Sequence, residues 1–340
     1  MKTIRILSQQ DVLDLMTIKD ALIADENAYS QKSKGTGSIW PMVFHEFNPG
    51  KADLDIKSGD LGESGVFGFK LVSWYGENPA KGLPELFGTS MLFDISSGEP
   101  VALINAGALT GMRTGAAAAV GAKYLARPDS TSLLVVGTGM LAPYAVAAAL
   151  MALPGIRTVR LANPHHPERA AEKLPEIKAH AVQLLAACGV ECSADIAAVG
   201  ELAEAAAKAD IIITATPART PVLRREWIKP GTHISCLGAD MAGKQELDAR
   251  ILADAAVFVD DAAQSISVGE CELAVKNHVI DATHIQCEIG DVICGKHSAR
   301  TDDAQITVFD SSGIALQDLA CCSELLKKAE AAGKGTVVSF

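Results

Sequence analysis

The amino-acid sequence predicts an α/β protein organised around a doubly wound parallel sheet. Three observations support this fold class. An apolar strand leads into a glycine-rich turn and an alanine-rich helix at Ser132–Ala149, and short apolar strands alternate with helical segments after it. The third observation is size, because a chain of 340 residues that is 49% hydrophobic can bury a large core and suggests two domains.

The first of these features is the segment SLLVVGTGMLAPYAVAAA. Leu133–Val136 is predicted to be a strand buried on both faces, because a short continuous apolar run suits such a strand. Gly137, Gly139 and Ala142 then form G-x-G-x-x-A, in which the glycines permit a tight turn and the close approach of a pyrophosphate. This predicts a dinucleotide site, with a plain strand-to-helix turn as the alternative. The candidate contacts are Gly137, Thr138, Gly139, Met140 and Leu141.

The identity of the dinucleotide is left open between NAD and NADP. An acidic residue at the end of the second strand favours NAD by bonding the ribose diol, whereas a basic residue favours NADP. Here the predicted strand Thr158–Ala162 is followed by Asn163 and His165. A neutral asparagine is compatible with either cofactor. Asn163 and His165 are both candidate cofactor contacts.

The remaining elements follow in order along the chain. Ser8–Ala28 is predicted to be one capped amphipathic helix, and Ile39–Phe93 has the short strands and turns of an antiparallel or mixed sheet. Gly107–Arg127 is predicted to be a helix that ends before Pro128. Further strands are predicted at Thr158–Ala162, Ile211–Thr214, His233–Leu237, Ala256–Val259 and Gln305–Phe309, and helices at Glu168–Cys188 and Ile314–Lys328.

Composition argues against several classes of function. A net charge of −11 without a basic run disfavours nucleic-acid binding, because neutralising phosphates requires clustered lysine and arginine. The sequence shows neither a signal peptide nor a membrane-spanning stretch. Its eight cysteines lack the spacing of a disulfide framework or a zinc site. We therefore expect a cytoplasmic protein with reduced thiols and no metal site.

Three charged residues beside apolar segments are candidates for chemistry. Lys70 interrupts the apolar run Phe67–Trp74, and it either extends to solvent or faces a cleft as a desolvated ammonium. Arg113 lies in a helix of small residues, where it either holds a carboxylate or lies on the helix surface. Asp240 follows the predicted strand His233–Leu237, at the sheet edge where α/β proteins bind ligands, with a turn-forming aspartate as the alternative.

Five segments together carry a resemblance to a known family. They are GLPELFGTSMLFD, LTGMRTGAAAAVGAKYLARPDS, VVGTGMLA, GADMAGKQELD and TVFDSSGIALQDLA. In order and spacing they resemble the ornithine cyclodeaminase and mu-crystallin family over nearly the whole chain. The resemblance implies a homodimer in which residues 1–115 plus 311–340 form an α+β substrate-binding, catalytic and dimerisation domain. Residues 116–310 would then form an inserted Rossmann-type dinucleotide-binding domain.

The resemblance also implies a reaction and residue roles. The expected activity is an NAD(P)-dependent oxidoreductase at the Cα–N bond of a small amino or imino acid, either an imine reductase or an amino-acid dehydrogenase. By this likeness Lys70 and Arg113 bind the substrate carboxylate, and Asp240 and Lys70 are the catalytic residues, with Asp240 handling protons at the amine. Residues expected to line the cofactor are Thr89, Thr114, Lys244 and Ser311. The alternatives are ornithine cyclodeamination and a non-enzymatic role in binding NAD(P)H or a small ligand.

One departure from the family pattern bears on the substrate. Many members carry a further carboxylate-binding arginine soon after a proline in the early strand region, whereas here Met42 and Val43 follow Pro41. Lys57 and His45 are candidates to replace it, and the competing interpretation is an exposed loop lysine and a sheet histidine. The missing arginine favours imine reduction or amino-acid dehydrogenation over cyclodeamination of ornithine.

Overall fold

The structure, a computed structural model, describes residues 3–340 and divides into two compact units. The first unit contains the chain up to Arg113 together with Ile314–Phe340, and the second unit is Thr114–Gly313. The strands are β1 (Thr3–Leu7), β2 (Gly37–Ile39), β3 (Val43–Asn48), β4 (Ala52–Leu61), β5 (Val66–Tyr75), β6 (Leu86–Asp94), β7 (Pro100–Asn105), β8 (Ser132–Val136), β9 (Thr158–Ala162), β10 (Asp195–Ala198), β11 (Ile211–Thr214), β12 (His233–Cys236), β13 (Ala256–Val259), β14 (Ile285–Glu288), β15 (Thr307–Asp310) and β16 (Thr336–Ser339). The helices are α1 (Gln9–Leu15), α2 (Ile18–Lys34), α3 (Gly107–Leu125), α4 (Ala142–Ala152), α5 (Pro167–Ala186), α6 (Leu202–Lys208), α7 (Ala249–Asp254), α8 (Ala262–Val268), α9 (Cys271–Lys276), α10 (Ile289–Ile293) and α11 (Ala315–Ala331).

The first unit is built on a mixed sheet with the strand order β16-β1-β7-β6-β5-β4-β2, and β3 also pairs with β4. β1 and β7 run parallel, whereas β4, β5 and β6 pair antiparallel. Helix α11 packs against β4, β5 and β6. Lys57, Lys70 and Ser90 lie directly opposite one another on these three strands. They share the face towards α11, because Gly68, two residues before Lys70, lies against Leu319 of that helix.

The opposite face of this sheet carries exposed and half-buried aromatic side chains. Phe67 and Phe93 stack with their ring centroids 5.0 Å apart, and the ring of Trp40 lies 6.1 Å from that of Phe67. Phe87 belongs to the same face. It lies opposite Ser73, which is three residues from Lys70 on β5 and is therefore on the other face of the strand. Trp40 and Phe87 are 40% and 46% exposed. We call Trp40, Phe67, Phe87 and Phe93 the aromatic face.

The second unit is a sheet with the strand order β10-β9-β8-β11-β12-β15-β13-β14, and its neighbouring strands run parallel. The chain moves outward from β8 in both directions, which is the topology of a doubly wound sheet. Strands β11, β12, β13 and β15 are buried along their whole length, as strands covered on both faces should be. The predicted fold class is confirmed.

One predicted helix is wrong in its extent. The sequence predicts a single helix over Ser8–Ala28, but the structure has α1 and α2 with a break at Met16 and Thr17. The Thr17 hydroxyl accepts from the backbone N–H of Asp20, whose carboxylate in turn accepts from the backbone N–H of Thr17. This reciprocal capping box satisfies the amides at the start of α2, so a second helix begins inside the predicted one.

Other observations concern the cysteines, metal ions and membranes. The eight cysteines are free thiols. Within residues 3–340 the structure contains no cluster of His, Cys, Asp and Glu side chains suited to hold a metal ion. The helices formed by these residues are also too short or too polar to cross a membrane.

Candidate active site

A buried ion-pair cluster lies under helix α11 in the first unit. Lys70 Nζ donates a hydrogen bond to Asp318 Oδ1 at 2.9 Å, and Arg113 Nε donates to the same oxygen at 3.1 Å. Lys70, Arg113 and Asp318 are 2%, 7% and 1% exposed. Lys70 therefore does not extend to solvent, and Arg113 is not a residue of the helix surface. We call these three residues the carboxylate cluster.

The charges of the carboxylate cluster act on one another where little water can screen them. Burial lowers the pKa of Lys70 to about 8, with Arg113 adding to the effect and Asp318 opposing it. Burial also works against the charge of Asp318, but Arg113 and Lys70 outweigh it and lower the pKa of that carboxyl. For Arg113, burial is outweighed by Asp318 and Asp25 together with smaller contributions, so its pKa is raised. At neutral pH the cluster thus holds two cations around one carboxylate.

This geometry suits the binding of a second carboxylate. The contact of Arg113 with Asp318 uses Nε, and the guanidinium's two terminal amino groups are the pair that can grip a carboxylate side by side. Lys70 adds an ammonium that shares Asp318 with Arg113. The cluster can therefore orient a small acid by its carboxylate.

The structure distinguishes the two candidates for the missing arginine. Lys57 lies on β4 directly opposite Lys70, and it is only 8% exposed, so it is not an exposed loop lysine. His45 is exposed on β3 opposite Leu54, which puts it on the other face of the sheet. Lys57 is thus the candidate beside the carboxylate cluster.

The glycine turn at the start of α4 has the geometry of a phosphate-binding turn. Gly137 has a φ of +118°, and a Cβ there would overlap the carbonyl oxygen of Ala215, so only glycine fits. A Cβ at Gly139 would meet no heavy atom of residues 3–340 within 4 Å, which leaves space beside that backbone. Helix α4 begins at Ala142. The space and the helix N-terminus together fit a pyrophosphate.

Asn163 fixes this turn from the end of β9. Its Nδ2 donates to Thr138 Oγ1 at 2.9 Å, and its Oδ1 accepts from the backbone N–H of His165 at 3.2 Å. The His165 side chain is exposed, Met140 is 54% exposed, and Leu141 is half-buried before α4. The structure therefore brings together Thr138 and Asn163, two of the predicted cofactor contacts.

Asp240 lies in the loop that follows β12. Its Oδ1 accepts a hydrogen bond from Lys244 Nζ at 2.5 Å, and the two side chains are 48% and 15% exposed. The carboxylate is accessible and sits beyond the carboxyl end of a parallel strand, where such sheets bind ligands. This position allows proton exchange with a bound amine.

The remaining predicted cofactor contacts lie in different surroundings. Thr89 is exposed on β6 and adjoins Ser90, so it faces away from Lys70 on the same side as the aromatic face. Thr114 is buried on α3. Ser311 is 4% exposed, and its hydroxyl donates to Asp260 at 3.3 Å. The cofactor roles of these three residues stay predictions.

Comparison with known proteins identifies the family of the chain. It matches the model of the ornithine cyclodeaminase/mu-crystallin family over residues 2–332. The chain belongs to this family. The alanine dehydrogenase of Archaeoglobus fulgidus is 35% identical over 98% of each chain. The iminosuccinate reductase of Paracoccus denitrificans is 31% identical over 96% of this chain and 97% of its own. A solved archaeal alanine dehydrogenase dimer with bound NAD is 33% identical, covers 100% of both chains and has a TM-score of 0.87.

Sequence reasoning missed one residue of the site in this family member. Asp318 is not among the sequence candidates, yet it accepts from both Lys70 and Arg113. A signal was available in the predicted helix Ile314–Lys328, where Asp318 stands directly before Leu319 in the sequence GIALQDLACC. Acids are rarely fully buried unless paired, so an acid within an apolar helix segment indicates a buried basic partner.

Proposed function

We propose that this protein is an NAD(P)-dependent oxidoreductase acting on the Cα–N bond of a small amino or imino acid, as an imine reductase or amino-acid dehydrogenase. The carboxylate cluster carries this proposal, because two buried cations share Asp318 and retain donors for a substrate carboxylate. The related alanine dehydrogenase and iminosuccinate reductase are, by their names, enzymes of this kind.

The proposed reaction gives each candidate residue a role. The terminal amino groups of Arg113 and the ammonium of Lys70 hold the substrate carboxylate and thereby fix the position of Cα. Asp240 delivers or removes the proton at the substrate nitrogen. When bound, NAD(P)H supplies the hydride for the imine carbon, and one proton at nitrogen completes the amine. The turn at Gly137 and Gly139 holds the pyrophosphate of that cofactor, and Asn163 lies where the adenine ribose is selected.

We propose further that the chain works as a homodimer that buries the aromatic face. Large exposed apolar patches mark association sites, and aromatic residues are enriched in interfaces. Trp40 and Phe87 are 40% and 46% exposed, and the solved archaeal relative is a dimer. Light scattering on the purified protein should give twice the chain mass of 35.5 kDa. A monomer at all protein concentrations would contradict this assembly.

The cytoplasm is the compartment that we propose for the enzyme. Its eight cysteines are free in the structure, and free thiols persist in a reducing compartment. An acidic protein with a net charge of −11 also fits a small-molecule enzyme without a nucleic-acid partner.

A turnover assay tests the proposed function. Purified protein is incubated with NADH or NADPH, ammonium and a panel of small 2-oxo acids and cyclic imino acids, and oxidation of the cofactor is followed. Asp240→Asn should lower kcat by roughly two to four orders of magnitude, the usual range for a positioned acid or base. Asp254→Asn is the matched control, since Asp254 is also a half-exposed aspartate in an ion pair, with Arg225 at 2.6 Å.

Two outcomes would refute the proposal. The first is binding of NAD(P)H without turnover of any acid in the panel, which would assign a binding protein. The second is conversion of L-ornithine to proline and ammonia with catalytic NAD and no net NADH, which would assign the cyclodeaminase reaction.

A further inference from the structure

The loop that carries Asp240 is closed at its base by a buried glutamate. Residues 238–246 follow β12, and we call them the Asp240 loop. Glu246, at the end of this loop, is 0% exposed, and its Oε2 accepts from the backbone N–H of Gly238 at 2.7 Å. A Cβ at Gly238 would overlap the carboxyl carbon of Glu246, so the two residues pack without a gap. One side chain therefore joins the two ends of the loop.

Four hydrogen bonds converge on the Glu246 carboxylate. Besides Gly238, the Thr214 hydroxyl donates to Oε2 at 2.7 Å. The backbone N–H and the hydroxyl of Thr216 donate to Oε1 at 2.7 and 2.8 Å. Thr214 is the last residue of β11, which pairs with β12, so the carboxylate ties the Asp240 loop to the neighbouring strand. Each oxygen accepts from two donors, an arrangement that favours the ionised form.

A second buried glutamate holds the far end of the same loop. Glu270 is 0% exposed, and its carboxyl accepts from the backbone N–H groups of Glu246 and Leu247 at 2.9 and 2.7 Å. Burial, Glu246 and Asp310 raise the pKa of Glu270 well above its usual range. Burial raises the pKa of Glu246 as well, but its four donors oppose that effect. The pair therefore carries its negative charge on Glu246, and Glu270 is a neutral acceptor.

The base of the loop determines where Asp240 lies. The ion pair of Asp240 with Lys244 at 2.5 Å joins two members of the loop and does not attach the loop to the sheet. At its tip, the backbone N–H of Gly243 donates to Glu272, a half-buried side chain. The fully buried attachment is that of Glu246. A proton donor must lie within about 2.6–3.2 Å of the atom that it serves, so a displaced loop base would prevent the transfer.

From these contacts we propose that Glu246 is a positioning residue, whose carboxylate acts as a buried anion that fixes the Asp240 loop for proton transfer. The inference rests on the proposed function, in which Asp240 exchanges a proton with the substrate nitrogen. Glu246 is fully buried, so it acts through Asp240 and not on the substrate. Its carboxylate has to stay ionised, because a neutral side chain cannot accept from all four donors at both oxygens.

A double-mutant cycle tests whether Glu246 acts through Asp240. Glu246→Gln keeps the shape of the side chain but places an amino group against two of the four donors. It should lower kcat roughly ten- to a hundredfold, the cost of misplacing a reacting group by about 1 Å. In an Asp240→Asn background the same substitution should cause little further loss, because the group that it misplaces is already absent. An equal loss in both backgrounds would assign Glu246 a purely structural role and overturn the inference.

Hydrogen exchange followed by mass spectrometry measures the anchoring without turnover. Glu246→Gln should accelerate exchange in peptides that cover residues 238–246 and leave peptides of β8 at the wild-type rate. The matched control is Glu226→Gln, because the side chain of Glu226 is 54% exposed and pairs with Arg250 at 3.2 Å. This control should change neither the exchange nor kcat. Unchanged exchange of the Asp240 loop in Glu246→Gln would overturn the inference.

Two further variants separate the charge of the pair from its shape. Glu270→Gln resembles the neutral acid and should keep the wild-type kcat, whereas a loss equal to that of Glu246→Gln would contradict the placement of the charge on Glu246. Thr214→Val removes one donor and replaces Glu246→Gln in the cycle if that variant does not fold. It should lower kcat less, and only while Asp240 is present. A wild type that reduces no imine refutes the proposed function, and the inference falls with it.

Discussion

Replacing Asp318 with asparagine removes the charge that Lys70 and Arg113 share while keeping the shape of the side chain. Removing one partner of a buried ion pair costs about 3–5 kcal/mol, because an uncompensated charge stays buried. Asp318 is 1% exposed and contacts both cations at 2.9 and 3.1 Å, so screening by water does not reduce this cost. We expect Asp318→Asn to lower the free energy of unfolding by about 3–5 kcal/mol at neutral pH.

The effect should depend on pH with a definite sign. The pKa of Lys70 is lowered from 10.5 to about 8, so between these values the unfolded chain binds more protons than the folded one. The contribution of Lys70 to stability is therefore present above pH 10.5 and is lost as the pH falls towards 8. Below pH 8 this contribution changes little. Asp318 supports the ammonium, so without it the folded pKa falls further. In Asp318→Asn the loss of stability with falling pH should therefore continue below pH 8, the lower limit for the wild type.

Urea denaturation followed by tryptophan fluorescence measures this difference at several pH values. The control is Asp14→Asn, because the side chain of Asp14 is 41% exposed and lies 3.8 Å from Lys334. An exposed pair of this kind contributes less than about 1 kcal/mol. Equal stability of Asp318→Asn and Asp14→Asn at neutral pH would refute the assignment of Asp318 as the buried counter-charge.

Two further predictions concern the second unit. Gly137→Ala should weaken NAD(P)H binding at least tenfold in a fluorescence titration, because its Cβ overlaps Ala215, whereas Gly200→Ala, where a Cβ finds open space, should bind normally. Equal affinities would contradict the turn geometry. Burial raises the pKa of Asp310 from 3.8 to about 7, so the contribution of Asp310 to stability should fall by roughly 4 kcal/mol as the pH rises through that interval. Asp310→Asn should reduce the slope of stability against pH in thermal unfolding without abolishing it, because burial also raises the pKa of Glu246 and of Glu270. An unchanged slope would assign it to other groups.

Local patterns made much of the second unit predictable. The strand at β8, the turn at Gly137 and the helix after it follow from a short apolar run, two glycines and an alanine-rich segment. β9, β11 and β13 have the predicted bounds. These features depend on neighbouring residues, so the sequence contains the necessary information.

The carboxylate cluster was less predictable because it depends on distant residues. Lys70 and Asp318 are 248 positions apart, and no local pattern indicates that they meet. The burial of Lys57 and the exposure of His45 depend on strand register, since a shift by one residue moves a side chain to the other face. Sequence reasoning therefore selected Lys70 and Arg113 as basic candidates and missed the acid that orients them.

The first unit is formed from two separate parts of the chain, so its residues are synthesised at different times. Lys70 and Arg113 leave the ribosome long before Asp318, and the whole of Thr114–Gly313 lies between them. Domains generally fold as units during translation, so the nucleotide-binding unit can fold while these two cations still lack their counter-charge. Docking of α11 then completes the substrate site last. A translation product that stops before Ile314 would contain the complete cofactor turn but not the counter-charge that orients the substrate-binding cations.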